Sequence, residues 1–151
     1  MSDWSRFERL TPFRVRDVLL VASHFDHYLL EESGYLAEIM RQEYSDLNLS
    51  QSPRIIHSPE ARDALRLLRA RDFDVVITMA RVGDMDVNAF GVEAKRIRSG
   101  LPVMMLSHNT RELATLSAGE GIDRIFVWTG DSRILLSICK LIEDERNVEN
   151  D

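Results

Sequence analysis

Five short apolar runs limit what this chain can fold into: Val18-Leu19-Leu20-Val21-Ala22, Arg54-Ile55-Ile56-His57, Val75-Val76-Ile77-Thr78-Met79, Val103-Met104-Met105-Leu106-Ser107 and Ile125-Phe126-Val127-Trp128. Each is strand-sized and most are rich in Val and Ile. A strand with one wet face alternates polar and apolar residues, and these mostly do not, which is how strands covered on both faces of a parallel sheet read. Parallel neighbours need crossover connections, so helices must separate the runs.

The intervening segments carry that pattern. After the first run, Leu36, Ile39, Met40, Tyr44 and Leu47 recur at helical spacing, and the stretch from Ser50 to Pro53 closes the segment as a loop. Ser58-Pro59-Glu60 reads as an N-cap, a first-turn proline and a first-turn acid, followed by a face of Ala61, Ala64, Leu65 and Leu68. Val87, Phe90, Ala94 and Ile97 form the next stripe, which Ser99-Gly100-Leu101-Pro102 ends. Asn109 with Glu112 resembles a capping box for a short helix bearing Leu113 and Leu116. Asp131 can cap a last helix with a stripe of Leu135, Ile138, Cys139 and Ile142. Five strands alternating with five helices predict one α/β domain, a doubly wound five-stranded parallel sheet of order 2-1-3-4-5, with its binding crevice at the carboxyl ends of the strands.

The 151 residues suffice for one core, and 44% hydrophobic with 29% charged residues is the composition of a globular chain. The 25 acids against 19 bases leave a charge of -6, which repels a phosphate backbone and argues against nucleic-acid binding. No apolar run approaches the roughly 20 residues that cross a bilayer, and the N-terminal Met1 to Arg6 lacks the apolar stretch of a secretory signal. One cysteine makes no internal disulfide. No membrane association and a cytoplasmic location are therefore expected. Cys139 shares an apolar helix face and reads as a core residue. Residues 1–14 read as an N-terminal extension, 15–144 as the domain and 145–151 as an acidic tail or linker. The acids from Glu143 onward read as a solvated helix end, although they oppose the helix dipole there.

At the strand ends, the sequence resembles the receiver domains of two-component response regulators, over roughly 15–144. The run from Phe73 to Asp86 looks like that family's third strand and following loop, the run from Leu101 to Ser107 like its fourth strand, and the run from Gly121 to Trp128 like its fifth. The resemblance implies a flavodoxin-like receiver fold. Working receivers hold magnesium on an acid pair after the first strand, accept a phosphoryl group on an Asp closing the third, and close the fifth with a Lys. Here the acid pair falls on Ala22 and Ser23, the phosphoacceptor on Met79 and the Lys on Trp128, and only the hydroxyl closing the fourth strand is kept, as Ser107. Carboxylates crowded together are tolerable only with cations to offset them, so losing acids and base together leaves an apolar pocket. The resemblance thus implies a pseudo-receiver with no catalytic residue, metal or cofactor.

A nearer resemblance is to receiver-like domains at the front of phosphoenolpyruvate synthase and pyruvate phosphate dikinase type proteins. It rests on the stretches from Arg81 to Asp86, Asp123 to Trp128 and Leu141 to Glu149. It implies a regulatory front module, with ATP-dependent phosphotransfer left to later domains. No glycine-rich phosphate loop or phosphohistidine segment is present in this sequence to carry that chemistry. The expected role is regulation through a partner surface, either another domain of a longer chain or a second copy of this one.

Two other readings remain. A displaced acidic pocket of Asp26, Asp84 and Asp86 could bind magnesium and keep phosphorylation in a phosphorelay, although acids in such loops commonly cap helices. A small-ligand crevice could instead form near Ser23, His24, Ser107 and His108. His24, His27, His57 and His108 all fall near strand ends, and His24 and His27 could share one helical turn beside Asp26. No cysteine or HExxH spacing accompanies them, so they read as solvated loop histidines. Met104 and Met105 read as core, and the Trp128 ring as a plug of the crevice rather than a docking surface.

Overall fold

The computed structural model describes residues 13–30, 53–80, 83–107, 120–128 and 133–149. They form β1 (Asp17–Val21), α1 (His24–Leu30), β2 (Arg54–Ser58), α2 (Ala61–Ala70), β3 (Val75–Met79), α3 (Val87–Ile97), β4 (Val103–Ser107), β5 (Arg124–Val127) and α4 (Arg133–Glu149). The strands make one five-stranded sheet of order β2-β1-β3-β4-β5, and every pairing is parallel. Two strands match the apolar runs residue for residue, β1 and β5 begin and end one residue earlier than theirs, and β2 runs one residue longer. The stripe from Leu36 to Leu47, the Asn109 capping box and Asp131 lie outside the described residues.

The apolar runs lack alternation because both sheet faces are covered. Val18, Leu20, Val75, Ile77, Met104 and Leu106 point into one layer, which they share with Leu135, Ile138, Cys139 and Ile142 of α4. Leu19, Val21, Val76, Val103 and Met105 point into the other, against Ala61, Ala64, Leu65 and Leu68 of α2 and Phe90 and Ala94 of α3. The α2 face is the one its periodicity predicts. Among the described residues, no helix is long and apolar enough to cross a membrane.

Helix α3 meets the segment before β5 backbone to backbone. A Cβ on Gly91 would lie 2.0 Å from the Gly121 carbonyl oxygen, and one on Gly121 would lie 2.2 Å from that of Asn88. Only glycine fits on both sides of that crossing. The Asn88 side chain also accepts the Gly121 N–H at 3.1 Å.

Three local expectations change. Ser58 does not cap α2. It ends β2, its hydroxyl donates to the Asp63 carboxylate at 2.8 Å and lies 3.0 Å from the Glu60 carbonyl oxygen, and the helix begins only at Ala61. The orphan N–H groups of Ala61 and Arg62 are instead taken by the two carboxylate oxygens of Asp84, at 3.0 and 3.3 Å, from the loop after β3. The chain also turns helical at once after β1, where α1 carries no apolar stripe and exposes Phe25 and Tyr28. Finally, Glu143 is no solvated helix end: it is buried, and α4 runs on to Glu149.

Candidate functional site

The parallel ladder carries three strands one residue past their ends. The Ala22 N–H donates to the Ser58 carbonyl at 3.0 Å, the Ala80 N–H to that of Leu106 at 3.1 Å, and the Trp128 N–H to that of Ser107 at 2.8 Å. Together with the parallel β1–β3 pairing, these bonds bring the ends of all five strands to one rim. Alternation then decides what each end presents. Ala22 follows Val18 and Leu20, Met79 follows Val75 and Ile77, and all point to the α4 side of the sheet. Ala22, Met79 and Trp128 therefore belong to one continuous apolar cluster, each no more than 4% exposed. Ser107 closes β4 beside them and is fully buried.

The polar candidates do not gather around this cluster. The Ser23 hydroxyl accepts the Asp26 N–H at 3.1 Å and so caps the start of α1. Asp86 caps α3, taking the Ala89 N–H at 3.0 Å, as its loop position predicted. Asp84 caps α2 instead of the helix that follows it. Asp26 is half-buried on α1, and His108 lies outside the described residues. Among the described residues, no three His, Cys, Asp or Glu side chains stand arranged to hold a metal ion.

Three of the histidines depart from a loop placement. His24 and His27 lie on α1, and His57, beside Leu20 in the β1–β2 register, meets both. The His27 and His57 rings stack at 3.8 Å with 4° between their planes, and His24 meets His57 edge-on at 5.6 Å. His57 Nε2 lies 2.7 Å from the Ala22 carbonyl oxygen; that oxygen only accepts, so Nε2 carries the proton. Next to this group, the Ser58 hydroxyl and then Arg66 hold the Asp63 carboxyl below the usual carboxylate range.

No family model and no curated protein sequence matches the chain. Solved structures do. A receiver domain protein from Methanospirillum hungatei JF-1 superposes with a TM-score of 0.66 at 19% identity, covering 89% of this chain and 98% of that one. The receiver domain of an HD domain-containing protein from Pseudomonas fluorescens Pf-5 gives 0.61 at 21% identity, covering 92% and 94%. The fold is that of response-regulator receiver domains.

A streptococcal protein, described as one of a family of redox sensors evolved from two-component response regulators, superposes on the same receiver fold with a TM-score of 0.65 at 17% identity. The match covers 89% of this chain and 54% of that one, so this chain spans about half its length. In the receiver fold of this chain, the rim of the sheet is apolar at β1, β3 and β5 and keeps a hydroxyl at β4. Sequence reading noted His57 but did not join it to His24 and His27. The available signal was the strand order, which sets β2 directly beside the end of β1.

Proposed function

We propose that this chain is a receiver-like regulatory module of signal transduction that is not phosphorylated and is not itself an enzyme. It acts by binding a protein surface, either another domain of a longer chain or a second copy of itself. The observation that carries this reading is the shared burial of Ala22, Met79 and Trp128 at the rim. The receiver resemblance assigns acid-pair, phosphoacceptor and lysine roles to these positions, with Ser23 as the second acid. A methyl group binds no magnesium, a thioether offers no nucleophilic oxygen to a phosphoryl group, and an indole carries no ammonium. The acids nearest the β3 end, Asp84 and Asp86, are engaged as helix caps, which weakens the alternative of a rearranged magnesium site.

The finer reading, a front module of an ATP-dependent phosphoenolpyruvate-forming phosphotransferase, is supported by the three sequence stretches already named. A charge of -6 favours a protein partner over nucleic acid, and the short apolar runs speak for a cytoplasmic protein without membrane contact. Intact mass after incubation with acetyl phosphate and magnesium tests the reading. The mass is expected to stay unchanged, and a stoichiometric adduct of one phosphoryl group would overturn it in favour of the rearranged acidic site.

A further inference from the structure

We propose that residues 13–15 form a releasable strap that ties the chain entering β1 to the last two turns of α4, so that a partner drawing away either one loosens the other. Side chains tie the strap. The Phe13 N–H donates to Asn147 Oδ1 at 2.7 Å, and Asn147 Nδ2 donates back to the Phe13 carbonyl at 3.4 Å. The Val15 N–H donates to Glu143 Oε2 at 3.0 Å, and the Arg146 guanidinium covers the Phe13 ring at 4.4 Å. Arg16 is the anchor, since its N–H donates to Asp74 Oδ2 at 2.8 Å while its carbonyl accepts the Arg54 N–H at 2.8 Å. The strap can therefore leave α4 at Arg16 with the sheet ladder intact.

The end of α4 depends on the same contacts. Leu135, Leu136, Ile138, Cys139 and Ile142 hold the helix in the apolar layer, and Ile142 is the last of them. Past it, Glu143, Arg146 and Asn147 reach to the strap, whereas Asp144 and Val148 face outward. Glu145 pairs with Arg124 of β5, but both side chains are about half exposed, and such a pair contributes little. Terminal helical turns are marginal without tertiary packing and open locally when it is lost.

What keeps the strap closed is modest. Val15 is buried in the α4-side cluster and Phe13 packs partly against it, so opening exposes one aliphatic side chain and part of a ring. Coupling of this kind is reciprocal: whatever favours the open strap favours the frayed helix end by the same free energy. A partner that grips the chain ahead of β1 and one that grips the end of α4 thus act on one equilibrium, at the opposite end of the sheet from the apolar rim. The strap extends the proposed regulatory role, and it holds whether or not the chain accepts a phosphoryl group.

Hydrogen exchange of the full chain, read by mass spectrometry in two variants, tests it. Phe13→Ala removes the ring under Arg146 without altering α4 and should speed exchange of the 143–149 amides about fivefold. Asn147→Ala removes both bonds to Phe13 and should speed exchange at 13–15 by a similar factor, although alanine is the better helix former. The amides of β3 and β4 should keep their wild-type protection in both variants, which also shows that the fold stands. Unchanged exchange at 143–149 in the first variant, or at 13–15 in the second, would overturn the coupling. An equal loss of protection in β3 and β4 would overturn it too, because the strap would then open only with the whole domain.

Discussion

The buried carboxylate of Glu143, near the end of α4, accepts the backbone N–H of Val15 at 3.0 Å, across 128 residues of sequence. One turn on, Asn147 accepts the Phe13 N–H at 2.7 Å and donates to the Phe13 carbonyl at 3.4 Å, while the Arg146 guanidinium lies over the Phe13 ring at 4.4 Å. The last turns of α4 thus hold the chain as it enters β1. Removing the acceptor by Glu143→Ala leaves a buried N–H without its partner and should cost about 1–3 kcal/mol. Glu143→Gln keeps an acceptor oxygen and should cost clearly less. Urea unfolding of both variants checks the order, and equal losses would show that the carboxylate charge, not the hydrogen bond, matters.

Met79→Asp places a carboxylate at a position 1% exposed, inside an apolar cluster. Burial raises the pKa of the new group above its unfolded value, so the folded state binds a proton more tightly than the unfolded state does. The variant should lose on the order of 1–3 kcal/mol at pH 8, and less at pH 5, where protonation removes the charge. Thermal unfolding at the two pH values is the measurement. Wild-type stability at both would mean that the rim admits water.

Trp128 is 4% exposed and packs in the same cluster as Ala22 and Met79. Trp128→Ala removes a large ring from a closed site and should cost about 3–5 kcal/mol through lost transfer energy and the cavity left behind. In a Trp4→Phe background, iodide should quench the remaining indole only weakly. Strong quenching together with near-native stability of the alanine variant would identify an exposed docking residue in place of a plug. The aromatic position on the fifth strand that couples phosphorylation to the helices in working receivers falls, by resemblance, on Ile125, so a single rim conformation is expected.

Burial pushes the Cys139 thiol from 9.0 up to about 12, and the charges of Glu143 and Asp74 add to the shift. A raised folded-state value contributes stability that is complete below pH 9, where both states hold the proton, and that is lost as pH climbs from 9 toward 12 and only the unfolded thiol ionises. Iodoacetamide at pH 8 should leave the native protein unlabelled and label it fully in urea. Cys139→Ala should flatten that part of the alkaline decline in stability, as read by denaturant midpoints between pH 8 and pH 10.

The sheet was legible in the sequence because strand burial on two faces leaves a local signature. Val75–Met79 and Val103–Ser107 are apolar almost throughout, and the helix faces of α2 and α3 repeat at their own period. Helix α1 left no such signature. Its seven residues, from His24 to Leu30, include the exposed Phe25 and Tyr28, so periodicity had nothing to report.

By itself, the sequence determined the strands, their parallel order and the apolar character of Ala22, Met79 and Trp128, since composition and spacing along the chain suffice for these. Tertiary structure alone decided which polar group meets which. Asp84 caps a helix that begins 23 residues earlier, Glu143 finds Val15, and His57 meets His24 and His27. Hydrophobic burial is non-directional and is written into local pattern, whereas a hydrogen bond or ring contact needs one partner at one distance and angle. Only the packed chain supplies that partner, when its crossovers bring distant residues side by side.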